Sequence, residues 1–313
     1  MHDTTFVLWL QQSASPAVTA CLWAVTLCGY VPACLAAAIG CGFGGRLRVG
    51  VMLVLAIVVA DAMTVVAKGA FASPRPHAVD AHVRTFGFAE SRLTRLAAST
   101  AVPADDFGFP SGHVATTAAW TVGLASLRRS WRRRSVAAAW VALMAVSRMY
   151  LGRHFPVDVL GGLVVGLVGL GVARVGLPLG AAGDDTLTTG TRTALDASLI
   201  VAVALAALSG VGLGAHDAGR FCGLMGAALV LTRLRALDDV VPPGLRVARV
   251  AVALVVLGVA LWSSTWTTTG PGLEGLSTMA VSAAVHAGVL LVPALALRDR
   301  SAAPLAPTAD GGR

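Results

Sequence analysis

The chain has 313 residues, of which 56% are hydrophobic and only 13% charged, with mean hydropathy +0.76; a water-soluble domain cannot hide that much apolar surface, so an ordinary soluble fold is excluded. The net charge of +8 does not mark a nucleic-acid binder, because the arginines fall in short loops between apolar segments and not along one amphipathic stripe. Five cysteines without CxxC or Cys/His spacing provide neither a disulfide framework nor a metal site, and no cofactor is expected.

In chain order, the N-terminus lacks a basic region before its first apolar run and lacks a convincing cleavage site, so that run reads as a retained helix. Apolar segments follow at 17 to 40, 49 to 70, 111 to 127, 135 to 150, 157 to 178, 194 to 214, 219 to 234, 246 to 262 and 278 to 297. The expected fold is all-α, a polytopic transmembrane helical bundle of about nine spans. Cys21, Cys28, Cys34 and Cys41 recur along the first segment on roughly one helical face and read as small packing residues. Asp61 lies in mid-span in the second, where a carboxylate is costly and should face the bundle and be hydrogen-bonded.

Residues 71 to 110 form the longest stretch without an apolar run, rich in Pro, Gly and charge, with room for a short interfacial helix near 88 to 98. His77, His82, Arg84, Asp105 and Asp106 fall in it and read as solvated surface. Gly162 and Gly166 in the fifth segment have the small-xxx-small spacing of close helix packing. The polar run GAAGDDTLTTGT marks a linker at 181–193, dividing a five-span part (1–180) from a four-span part (194–297), and 298–313 is expected to be a disordered tail. His286 in the last segment reads as a packed histidine.

Arginine placement fits this topology. Alternate loops carry Arg46 and Arg48, then Arg128, Arg129, Arg132, Arg133 and Arg134, then Arg174 and Arg192, then Arg233, Arg235, Arg246 and Arg249, as cytoplasmic loops should. The opposite side carries few, Arg220 among them, except in the loops at 71 to 110 and 151 to 156, which need another reason.

That reason lies in three polar clusters at the ends of segments two to five: Lys68 with Arg75-Pro76, Pro110-Ser111-Gly112-His113, and Ser147-Arg148 followed by His154 and Asp158. Alternating spans bring all three to one membrane face, where ionisable groups are costly unless they serve a site. Lys68, the only lysine, supplies with Arg75 and Arg148 three cations for a phosphoryl group. Ser111 and Gly112 open a helix whose backbone N–H groups attract an anion. His154 and Asp158, four apart, let the carboxylate orient the imidazole so that its other nitrogen attacks phosphorus. His113 then protonates the leaving oxygen and later activates water.

The spacings K-x6-RP, PSGH and SR-x5-H-x3-D resemble the type 2 phosphatidic acid phosphatase superfamily, which includes vanadium haloperoxidases and glucose-6-phosphatase. The resemblance implies a helical core in residues 1–180, with His154 as nucleophile, Asp158 as its partner and His113 as general acid. It implies that Lys68, Arg75, Ser111, Gly112 and Arg148 hold the phosphate. The expected activity is metal-independent hydrolysis of a lipid phosphate or diphosphate, of the phosphatidate or polyprenyl diphosphate type, at the extracytoplasmic face of the plasma membrane. Its partners are the phosphorylated lipid and the membrane, with no nucleic acid and with the oligomeric state open. The alternatives are a sugar-phosphate phosphatase, which the plan of two spans before the first motif favours, a lipid phosphotransferase, and a transporter or non-catalytic membrane protein.

Overall fold

The computed structural model describes residues 4–12, 15–42, 47–76, 107–176, 219–220, 222–224, 226–227, 243–263 and 273–296. Among them the chain is helical and forms no strand, apart from an isolated bridge between Pro74 and Phe107. The helices are α1 (Thr5–Gln11), α2 (Pro16–Leu27), α3 (Val31–Gly42), α4 (Leu47–Phe71), α5 (Gly112–Ala125), α6 (Trp131–Tyr150), α7 (Pro156–Gly176), α8 (Pro243–Ser263) and α9 (Leu273–Ala296). The linker at 181–193, the segment at 194 to 214, the tail at 298–313, the helix near 88 to 98, and His77, His82, Arg84, Asp105 and Asp106 lie outside the described residues.

Helix α4 is apolar on every face and enclosed along nearly its whole length, as a helix without a polar stripe must be. Helices α5 and α7 pack on it antiparallel and run parallel to each other, and glycines set their separations. A methyl group at Gly162 would come within 2.4 Å of the Ser111 carbonyl oxygen, and one at Gly166 within 2.4 Å of that of Ala115. One at Gly169 would stand 2.9 Å from the Ala60 nitrogen on α4. The small-xxx-small run therefore extends to a third glycine and draws α7 against two helices at once.

The first apolar segment is not one straight helix. It breaks at residues 28–30 and bends by 65° between α2 and α3. Pro32 gives the reason: its ring would clash with the carbonyl of Cys28 in a continuous helix, whereas the first turn of a new helix accepts it. The shared cysteine face is lost with the bend, leaving Cys34 buried and Cys21, Cys28 and Cys41 exposed. Helices α1 and α2 are tied to the end of α6. Gln11 Nε2 donates to the Tyr150 carbonyl at 2.6 Å, the Thr19 and Tyr150 hydroxyls are 2.8 Å apart, and the Ser147 hydroxyl donates to the Leu22 carbonyl at 3.0 Å.

Two described helices, α4 and α7, are long and apolar enough to cross a membrane, or three spans are reached if the bent α2–α3 pair counts as one. Helices α8 and α9 pack together, and α8 also packs against α3. Arg220, in helical residues 219–220, was expected in a loop on the outer side; it is instead buried against Asp61 of α4, with Nη2 2.5 Å from Oδ2. The pairing satisfies the mid-span carboxylate, and it draws the arginine inward because an isolated charge among apolar side chains is too costly to leave alone.

Candidate active site

Lys68 lies in the last turn of α4, Ser111 caps α5, Gly112 and His113 open it, Arg148 lies in the last turn of α6, and His154 and Asp158 flank the start of α7. Because these helices alternate in direction, all of these residues gather at one end of the bundle. Arg75 joins them through the clamp that closes the intervening stretch: Gly108 N–H donates to the Ser73 carbonyl at 2.7 Å beside the Pro74–Phe107 bridge. From there Arg75 Nη1 donates to the Arg153 carbonyl at 3.4 Å, which ties the first cluster's arginine to the loop of the third cluster.

Asp158 joins the PSGH turn to the SR-x5-H-x3-D turn. Phe155 precedes α7, and its N–H donates to Asp158 Oδ2 at 2.8 Å, one half of a capping box with the carboxylate at the third helical position. The Asp158 carbonyl accepts the Ser111 N–H at 2.8 Å. His154 Nδ1 stands 3.6 Å from Asp158 Oδ2, an ion-pair distance longer than a hydrogen bond, with the two side chains 2% and 0% exposed. The carboxylate thus caps the helix and faces the imidazole together, where spacing alone predicted only the second. Space for it is made at Gly108, where a methyl group would lie 2.8 Å from Asp158 Oδ2.

The same hydrogen bond revises the expected role of Ser111. Its backbone N–H is occupied by Asp158, so the N–H groups of the first turn that lack an intrahelical acceptor are those of Gly112, His113 and Val114. The Ser111 hydroxyl is fully buried, and Ser111 Oγ, His113 Nε2 and Arg148 Nε have no hydrogen-bond partner among the described residues. Buried polar atoms in a native fold are nearly always satisfied, so several orphans in one place mark a position for a polar ligand. Hydroxyl, guanidinium and imidazole N–H donors all suit an oxyanion.

The His154 imidazole titrates well below 6.5, first because burial penalises its charged form and then because Arg148, Arg75, Lys68 and His113 add positive charge around it. The ring is therefore held neutral.

Three contributors were not legible as site residues. Tyr30, at the α2–α3 bend, packs its ring edge-on to His113 with centroids 4.5 Å apart. Arg153, exposed at the mouth, lends its carbonyl to Arg75. Gly108 makes room for Asp158. One signal was available for the first: the chain has only two tyrosines, and Tyr30 and Tyr150 both lie at this end of the bundle.

Residues 49–178 match the family model described as the PAP2 superfamily, a span that contains every motif residue above. Undecaprenyl-diphosphatase BcrC of Bacillus subtilis (strain 168) is 40% identical over 70 residues, 22% of this chain and 35% of that protein. YbjG of Escherichia coli (strain K12), provisionally named for the same activity, is 40% identical over 74 residues, 23% of this chain and 36% of its own length. The matched region spans about a third of each of these curated relatives. No solved structure matches the chain.

Proposed function

Residues 49–178 belong to the PAP2 superfamily, and from that premise we propose that the chain is a metal-independent membrane phosphatase that hydrolyses a lipid diphosphate or lipid phosphate through a phosphohistidine. The observation that carries this reading is the gathering of a buried neutral His154, its Asp158 neighbour, His113 and the orphaned Ser111 and Arg148 donors at one end of α4–α7.

In the proposed reaction the terminal phosphoryl group sits among Lys68, Arg75, Arg148, the Ser111 hydroxyl and the N-terminus of α5. Fixed cations and N–H groups there stabilise charge spreading over the equatorial oxygens. His154 Nε2 attacks phosphorus, the bond to the leaving oxygen breaks with its electron pair going to that oxygen, and His113 supplies the proton. Asp158 steadies the positive charge that develops on the His154 ring. His113, now neutral, takes a proton from water as the water oxygen attacks the phosphohistidine, and the N–P electron pair returns to His154.

Lipid is the favoured substrate class, because the site lies at the ends of apolar helices and the relatives that match part of the chain are named for undecaprenyl diphosphate. The same reading places the site on the extracytoplasmic side of the plasma membrane, opposite the arginine-rich turn. It takes residues 1–180 as the catalytic part of about five spans and 194–297 as about four more.

The test is phosphate release in EDTA from polyprenyl diphosphate, phosphatidate and glucose 6-phosphate, with His154→Ala as the matched control. Release from the lipids that falls by at least about 10³-fold in the variant supports the reading. Activity that survives in His154→Ala refutes the phosphohistidine, and a preference for glucose 6-phosphate replaces the lipid.

A further inference from the structure

The opposite end of the same helices holds a second feature. Between the end of α5 and the start of α6 lies a groove of about 710 Å³. Its walls are Trp120, Leu124, Val136 and Trp140, and its rim is Ser130, Arg132 and Arg133. Both rim arginines are exposed, as are Arg128, Arg129 and Arg134 beside them, and Arg174 at the end of α7 reaches the same turn by donating to the Ser126 hydroxyl. From Gly112 to Val157 the chain has no Asp or Glu, so nothing in this hairpin balances the five arginines of its turn.

Helix length adds a second argument. Helix α6, which opens on this turn, has 20 residues, about 30 Å at 1.5 Å per residue, the thickness of a hydrocarbon core. The arginines of its first turn therefore lie at the depth of the headgroups on the side opposite the histidines, within reach of lipid phosphates. Trp120, Trp140 and the 80% exposed Trp131 are the residues that favour this depth.

We propose that this groove binds one anionic phospholipid, its phosphate held by Arg132, Arg133 and the Ser130 hydroxyl and an acyl chain laid against Trp120, Leu124, Val136 and Trp140. The apolar walls select a lipid over a soluble phosphate. The unbalanced arginines select an anionic headgroup over a zwitterionic one, whose own cation they repel. The site is separate from the histidines and does not depend on their chemistry.

The experiment is native mass spectrometry of the full chain in detergent, titrated with phosphatidylglycerol or phosphatidylcholine of equal chain length. The first bound phosphatidylglycerol should be favoured roughly tenfold or more. Arg132→Gln with Arg133→Gln should bring the ratio to within about threefold, while Arg128, Arg129 and Arg134 preserve the basic turn that sets orientation. Arg128→Gln with Arg129→Gln removes the same charge outside the groove and should leave the preference in place. Val136→Trp, which fills the groove without touching charge, should weaken binding of phosphatidylglycerol by a similar factor. No preference in the unmodified chain, or equal losses from the two arginine pairs, would overturn the proposal in favour of diffuse attraction. Displacement of the lipid by equimolar inorganic phosphate would show that the acyl contacts contribute nothing.

Discussion

Asp61→Asn is the sharpest test of how the described residues around Arg220 are held to α4. The Asp61 and Arg220 side chains are only 12% and 10% exposed and pair at 2.5 Å. The amide keeps the shape of the carboxylate and can still accept a hydrogen bond, but it leaves the guanidinium charge buried without its counter-charge. Breaking a buried pair from one side costs about 3–5 kcal/mol, and the small exposure here leaves little solvent screening to reduce that figure. Replacing both partners, as in Asp61→Leu with Arg220→Leu, removes the desolvation penalty together with the attraction and should restore most of the loss. Unfolding free energies in mixed micelles of dodecyl sulfate, taken over the complete cycle, give the coupling directly. A loss below about 1 kcal/mol for Asp61→Asn, with no recovery in the double variant, would show that the pair does not hold these segments together.

Three further outcomes follow from the site. Because the His154 imidazole titrates well below 6.5, protonation of the nucleophile begins to cut kcat/KM only below that pH; an acid limb of the free enzyme centred at or above 6.5 would contradict the buried, cation-surrounded ring. Gly162→Ala drives a methyl group to 2.4 Å from the Ser111 carbonyl, and should cost about 1–3 kcal/mol in unfolding measurements and lower kcat, because the displaced residue caps the helix that carries His113. A neutral result would mean that α7 can retreat from α5 without consequence. Asp158→Ala removes the partner of the Phe155 N–H, about 1 kcal/mol of cap energy, and also the carboxylate beside His154. Its kcat should fall by about 10⁴-fold, far more than loss of a cap explains, and a drop of only a few-fold would reduce Asp158 to a structural residue.

The parts of the fold that were legible are those fixed by local pattern. Helices α4 to α7 begin and end close to the expected segments because apolar runs there meet Pro, Gly or Ser at their ends. The motif residues converge because helix direction alternates, which spacing alone predicts. The bend at residues 28–30 was missed although Pro32 stood in view, since a long uncharged run satisfies the length criterion for one span whether or not it is straight. Tertiary partners were out of reach. Nothing near Asp61 points to Arg220, and nothing in PSGH says that the serine N–H is taken by a carbonyl of the next motif. The dual use of the Asp158 carboxylate was half visible, since the spacing to His154 and the third helical position are both written in the sequence, but the distance to each decides which contact is the hydrogen bond.

The clamp between Ser73 and Gly108 carries an implication for how this chain tolerates change. One backbone hydrogen bond and one bridge bring the two ends of residues 77–106 to a single point beside Arg75 and Asp158. The position of Arg75 is then set by residues 73–76 and 107–108 themselves, and Gly108 is the joint: a side chain there would press on the Pro74 carbonyl and on the Asp158 carboxylate together. A change at this one position therefore moves the arginine and the carboxylate as a pair, although neither is altered.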